Sequence, residues 1–156
     1  MPEYRRLEVR DCQGTLWAFY QKFEGQSVAS FEGDLSDLRL EELPGASAQE
    51  SGSLRRQTVE PELDFITVPI TPDTIQLLKK RLASHNMLGR DGAVIHTQLA
   101  VGDELLLIAC DNFHDDCTVA SVSVPEPFLK ELLNHGLLRA YGDAPRSTPD
   151  ALRQPV

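Results

Sequence analysis

Six consecutive residues, Asp111-Asn112-Phe113-His114-Asp115-Asp116, place three carboxylates and an imidazole side by side. Oxygen and imidazole donors at that density can bind a divalent cation, and His114 beside Asp115 or Asp116 can act as an acid–base pair. Asp111, His114, Asp115 and Asp116 are therefore the candidate binding residues. A metal shell would need His96 or His135 from elsewhere in the fold. The matching activity would be that of a small metal-binding protein, or of a hydrolase with one coordination position open for water. The spacing fits no zinc signature, because no second His or Cys pair stands at ligand distance. It also lacks the glycine and terminal Glu of a calcium loop. The competing expectation is a plain hairpin loop whose Asp and Asn side chains bond to the backbone of tight turns.

Other reactive residue types add little. His85 continues the apolar stripe Ile75, Leu78, Leu82, and His135 continues Phe128 and Leu132, so both are expected at helix ends, bonded to the last carbonyls. His96 shares a strand face with Val94 and Gln98 and points either into a cleft or into solvent. The chain has no Gly-x-Ser-x-Gly elbow, no phosphate loop and no Gly-x-Gly-x-x-Gly motif. Cys12 falls in an expected turn with no His partner. The aromatics of Trp17–Phe23 read as core, since the cationic groove that accompanies base stacking is missing.

The elements that would position the loop follow from local pattern. The apolar run Glu104–Cys110 precedes it, Thr118–Val124 follows it as the returning strand of a hairpin, and Pro125–His135 then reads as a helix. Leu105-Leu106-Leu107-Ile108 does not alternate, which predicts a central strand buried on both faces. Ser123 and Glu126 are spaced as a capping box, and Gly136 closes the helix. Upstream, Tyr4–Arg10, Thr15–Phe23 and Ser27–Phe31 read as an antiparallel meander broken by Asp11–Gly14 and Gly25. Leu35, Leu38, Leu40 and Leu43 fit a short helix or an edge strand. Pro44–Glu62 lacks apolar periodicity and reads as a mobile loop. Phe65–Val68 is a strand closed by Pro69. Thr71-Pro72-Asp73 opens a helix to about His85, Gly89–Gly92 breaks it, and Val94–Ala100 is the next strand. Residues from about Gly142, rich in proline, read as a loose tail over 143–156.

Length and composition fit one domain, residues 1–142, with its own core. The formal charge of −9 disfavours a nucleic-acid role, because phosphate contacts need clustered Lys and Arg. The one dense cationic run, Lys79-Lys80-Arg81, sits late in a helix where it meets the negative end of the dipole. No apolar run approaches the roughly 20 residues that span a bilayer, and the Met1–Arg10 stretch lacks the apolar segment of a signal peptide. Three cysteines, an odd set, fit a reducing cytoplasm as free thiols, although Cys110 and Cys117 flank one loop and can face each other.

The expected fold is α+β: a mainly antiparallel sheet with two amphipathic helices packed on one face. The other face would meet the N-terminal meander or a second copy of the chain, so a homodimer is expected. Between Phe31 and Asp64 stand nine acids against Arg39, Arg55 and Arg56. Together with the missing catalytic motifs, this favours a non-catalytic interaction or regulatory module with a basic protein partner.

Overall fold

The computed structural model describes residues 3–83, 88 and 92–143. Along the chain run β1 (Tyr4–Val9), α1 (Cys12–Lys22), β2 (Ser27–Gly33), β3 (Asp64–Ile70), α2 (Pro72–Ala83), β4 (Val94–Val101), β5 (Glu104–Ala109), β6 (Thr118–Ser121), α3 (Glu126–Asn134) and β7 (Leu138–Asp143). Short 3-10 turns occur at Ser36–Leu38, Leu40–Glu42 and Asp115–Cys117. The seven strands form one sheet in the order β3-β2-β4-β5-β6-β1-β7, every neighbouring pair antiparallel. The expected α+β class and the central place of β5 are both observed.

Three helices, not two, cover one face. Leu16, Phe19 and Tyr20 of α1, Ile75, Leu78 and Leu82 of α2, and Leu129 and Leu132 of α3 share one core with Leu7, Phe31, Val68, Leu99 and Leu107 of the sheet. The correction concerns Thr15–Phe23, expected as a strand. Leu16, Phe19, Tyr20 and Phe23 recur at the three- and four-residue spacing of a helix face, and that period overrides the strand preference of aromatic side chains. The expected turn at Asp11–Gly14 is the helix start, where the Asp11 carboxylate accepts from Gly14 N at 2.8 Å. With a helix between them, β1 and β2 lie in opposite halves of the sheet, so the expected N-terminal meander does not form.

Helix ends follow side-chain chemistry. At α2, Thr71 Oγ1 accepts from Thr74 N at 3.1 Å and Thr74 Oγ1 accepts from Thr71 N at 2.8 Å, a reciprocal box made by two threonines. At α3 the expected Ser123–Glu126 box is absent. Pro125 occupies the N-cap, and Ser123 Oγ lies 2.9 Å from Ser121 Oγ instead. Gly136, at φ 75°, closes α3 with a Schellman pair: Leu137 N donates to Leu132 O and Gly136 N to Leu133 O. The chain then enters β7 and pairs with β1, so Gly142 and Asp143, where the tail was expected to begin, are the end of a strand. Residues 144–156, the rest of the expected tail, lie outside the described residues, as do His85 and most of the Gly89–Gly92 break.

The non-alternating run in β5 has a simple cause. Leu99 pairs with Leu107 but Ala100 pairs with Leu105, so Leu106 is an extra residue in a bulge. Leu106 and Leu107 both reach the helix-side core, while Leu105 and Ile108 face the other side. That second face is covered from within the chain. Residues 44–62 run across it as a strap, pinned at β3 by Ser47, whose N–H and C=O both bond to Thr67. Leu54 of the strap packs with Ala100, Leu105, Ile108, Cys110, Cys117 and Val119. The apolar face that motivated a second copy is thus buried by the strap.

Candidate functional site

The loop between β5 and β6 begins with three consecutive residues in the left-handed region: Asp111, Asn112 and Phe113, at φ 49°, 58° and 63°. For residues with a Cβ this costs about 1–2 kcal/mol each and needs external support. Asn112 supplies much of it, its Nδ2 donating at 3.0 Å to Gly92 O and to Val94 O, and its N–H to Ile95 O at 2.8 Å. Asp111 N donates to His96 Nδ1 at 3.2 Å, and the Phe113 side chain is buried in the helix-side core. The Ile95 carbonyl is available because β4 is irregular there: Glu32 opposes His96 but Gly33 opposes Val94. Only glycine fits at position 33, since a Cβ would stand 2.0 Å from Ala93 O.

The four sequence-predicted residues end up in different roles. Asp111 Oδ2 accepts from the Cys117 thiol at 3.6 Å. Asp115 Oδ2 takes Arg139 Nη2 at 2.7 Å. His114 Nδ1 accepts from Asp116 N at 3.1 Å and so caps the 3-10 turn, with the Asp116 carboxylate 3.9 Å away. Asp111, His114 and Asp115 line a cleft of about 700 Å³ together with Arg10, Cys12 and Arg139. Among the described residues no three His, Cys, Asp or Glu side chains are grouped to hold a metal ion. His135 stands at the end of α3, in a cleft that shares no lining residue with this one. Cys12 is the first residue of α1, and burial, with the Asp11 carboxylate next in effect, pushes its thiol up to about 11. It is a protonated thiol at neutral pH, not a ready nucleophile.

Behind the loop lies a polar cluster that the sequence did not reveal. Glu32 is 2 % exposed, and its two carboxylate oxygens accept from Gln57 N at 2.7 Å and Thr58 N at 3.2 Å. His96, opposite Glu32 in the sheet, places Nε2 2.8 Å from Thr58 Oγ1. A backbone N–H can only donate, so Nδ1, facing Asp111 N, is unprotonated and Nε2 carries the proton. His96 is therefore a neutral donor to Thr58 and cannot serve as its base. Burial lowers the His96 pKa, against the opposing pull of Glu32 and Asp111. One residue further along the same face, Gln98 Oε1 accepts from Ser30 Oγ and from Arg55 N, both at 3.2 Å. A sequence signal for Glu32 did exist: it continues the Val28, Ser30 alternation of β2. Its strap partners, Gln57 and Thr58, carried none.

The third feature is electrostatic. Of the nine acids between Phe31 and Asp64 only Glu32 is buried. Glu42, Glu50 and Glu62 meet Arg81, Arg55 and Arg56 at 3.1, 3.7 and 4.0 Å. Asp34, Asp37, Glu41, Glu60 and Asp64 make no ion pair among the described residues. Glu41, Glu62 and Asp64 border a groove of about 460 Å³ with Leu35, Phe65 and Ile66 in its lining. A guanidinium already sits there: Arg56 lies over the Phe65 ring at 5.3 Å and donates to Leu63 O.

No helix among the described residues is long and apolar enough to cross a membrane. Comparison with protein-family models, with curated proteins and with solved structures returned no match.

Proposed function

We propose that this chain is a non-catalytic interaction module whose acidic surface, from Asp34 to Asp64, receives a basic protein partner. The observation that carries this reading is the state of the acids. Five of them are exposed with no ion pair among the described residues, beside a groove that combines a carboxylate rim with aromatic and aliphatic lining. Such a surface steers a cationic partner and offers an arginine or lysine both a counter-charge and a place for its stem. The Asp111–Asp116 loop supports the competing metal reading less well. Asp115 is committed to Arg139, Asp111 to a thiol, and His114 to capping a turn.

The test compares wild type with an Asp37→Lys/Glu41→Lys variant in affinity capture, over a salt series. A partner retained by wild type, lost by the variant and released as salt rises above about 0.1 M supports the proposal. Recovery of the same proteins by both, insensitive to salt, overturns it. Sedimentation at micromolar concentration, run in parallel, decides whether a second copy is among the partners.

A further inference from the structure

We propose that Cys110 and Cys117 form a thiol pair built to close into an intramolecular disulfide across the base of the β5–β6 hairpin. The register carries the argument. In this ladder Leu107 opposes Ala120, Ile108 opposes Val119 and Ala109 opposes Thr118. The next pair is Cys110 and Cys117, and Cys110 N does donate to Cys117 O at 3.3 Å. Directly opposed residues of an antiparallel pair project to the same face, and both cysteines belong to the same apolar cluster under the strap. Cys117 N turns back to His114 O, so a single backbone bond joins the two residues at the end of the ladder. Opposed residues of an antiparallel pair hold their Cα atoms about 4.5–5.5 Å apart, inside the range a disulfide spans. Both thiols are free in the structure. Cys12, on the helix side of the sheet, has no such partner.

The reaction needs an oxidant of the disulfide class, such as glutathione disulfide. The Cys117 thiolate attacks one sulfur of that disulfide, its S–S bond breaks, and one glutathione thiolate leaves and takes a proton from water. Cys110, buried and with its thiol pushed up by burial, then attacks the Cys117 sulfur of the mixed disulfide as its proton passes to the departing glutathione thiolate. The second glutathione departs. Two protein thiols are oxidised by two electrons and one glutathione disulfide is reduced to two thiols. The product ring holds the whole Asp111–Asp116 loop, and its formation removes the Cys117 thiol that Asp111 Oδ2 now accepts from. Burial, the first cause, and Asp111 push the Cys117 thiol up to about 11, so like Cys12 it is protonated at neutral pH. Only its small thiolate fraction attacks, closure is slow, and the rate should rise about tenfold per pH unit through the neutral and mildly alkaline range.

The experiment equilibrates the folded wild-type chain in glutathione buffers of increasing disulfide-to-thiol ratio, then alkylates free thiols and maps peptides by mass. The expected result is loss of two hydrogens per chain, a Cys110–Cys117 linked peptide and an alkylated Cys12. The Cys117→Ser variant should show no internal disulfide under the same conditions. If both thiols still alkylate at the most oxidising ratio, the proposal fails, provided the denatured chain oxidises in the same buffer. Accumulation of a mixed disulfide on Cys117 that Cys110 never resolves also overturns it.

Discussion

Two regions of this molecule are rich in carboxylates, and they use them differently. In the Asp111–Asp116 loop two of the three acids are engaged close by, Asp111 by a thiol and Asp115 by an arginine, while Asp116 stays exposed beside the histidine that caps its turn. Between Asp34 and Asp64 the acids lie outside, and most have no cationic neighbour among the described residues. Density of acidic residues in sequence is the same kind of signal in both places, yet the second leaves far more charge available to another molecule: five exposed acids with no ion pair among the described residues. Glu32 sits between the two cases. It belongs to the acidic segment by position, but its buried carboxylate holds the strap to the sheet through two backbone N–H groups.

The sharpest way to break this comparison is Glu32→Ala. It leaves Gln57 N and Thr58 N buried without an acceptor and should cost about 2–5 kcal/mol in chemical denaturation. A loss under about 0.5 kcal/mol would mean the strap is not held by this carboxylate. Next in size is Asn112→Ala, which removes two side-chain bonds and a residue that tolerates the left-handed region. Its expected cost is about 1–3 kcal/mol, and a near-neutral result would show that the turn supports itself.

The pH dependence of stability comes third. The folded His96 pKa lies below its ordinary 6.5, so the unfolded chain takes up this proton first as pH falls. The contribution is complete above about 6.5, declines as pH drops through that value and levels off below the folded pKa. In melting curves from pH 8 to 5 the decline should be smaller in His96→Gln, and equal slopes would remove His96 as its source. The smallest stability effect belongs to Glu41→Gln, within about ±0.5 kcal/mol. That substitution should nevertheless weaken partner capture. A variant that melts like wild type and binds like it would leave the acidic surface without a role.

Legibility from sequence divided along the same line. Strands β1 to β6 and helices α2 and α3 were readable because their apolar spacing and bounding turns are local. The central strand showed itself through Leu105–Ile108, although the reason it failed to alternate, the bulge at Leu106, needed the pairing with β4. Helix α1 was misread because Trp17, Phe19, Tyr20 and Phe23 satisfy a strand preference and a helical period together, and burial against α2 and the sheet decides between them. At the site, Asp111 and Asn112 are residue types known to accept left-handed backbone, but Phe113 is not, and its conformation follows from anchoring in the core. The bond from Asp111 to His96 and that from Thr58 to His96 join residues 15 and 38 positions apart. No local pattern encodes them.

The strap's attachment points also set an order of events. Glu32 precedes the strap in the chain, while His96 and Gln98 follow it, and the Ser30–Gln98 bond that frames its seat closes 68 positions. The seat of the Arg55–Thr58 stretch is therefore incomplete until β2 and β4 have met, which places this stretch among the late segments to dock and the early ones to leave. In folding kinetics, Glu32→Ala and Thr58→Ala should speed unfolding and leave the folding rate almost untouched. In hydrogen exchange, the N–H groups of Arg55, Gln57 and Thr58 should open by partial unfolding while the β5 ladder beneath them stays closed.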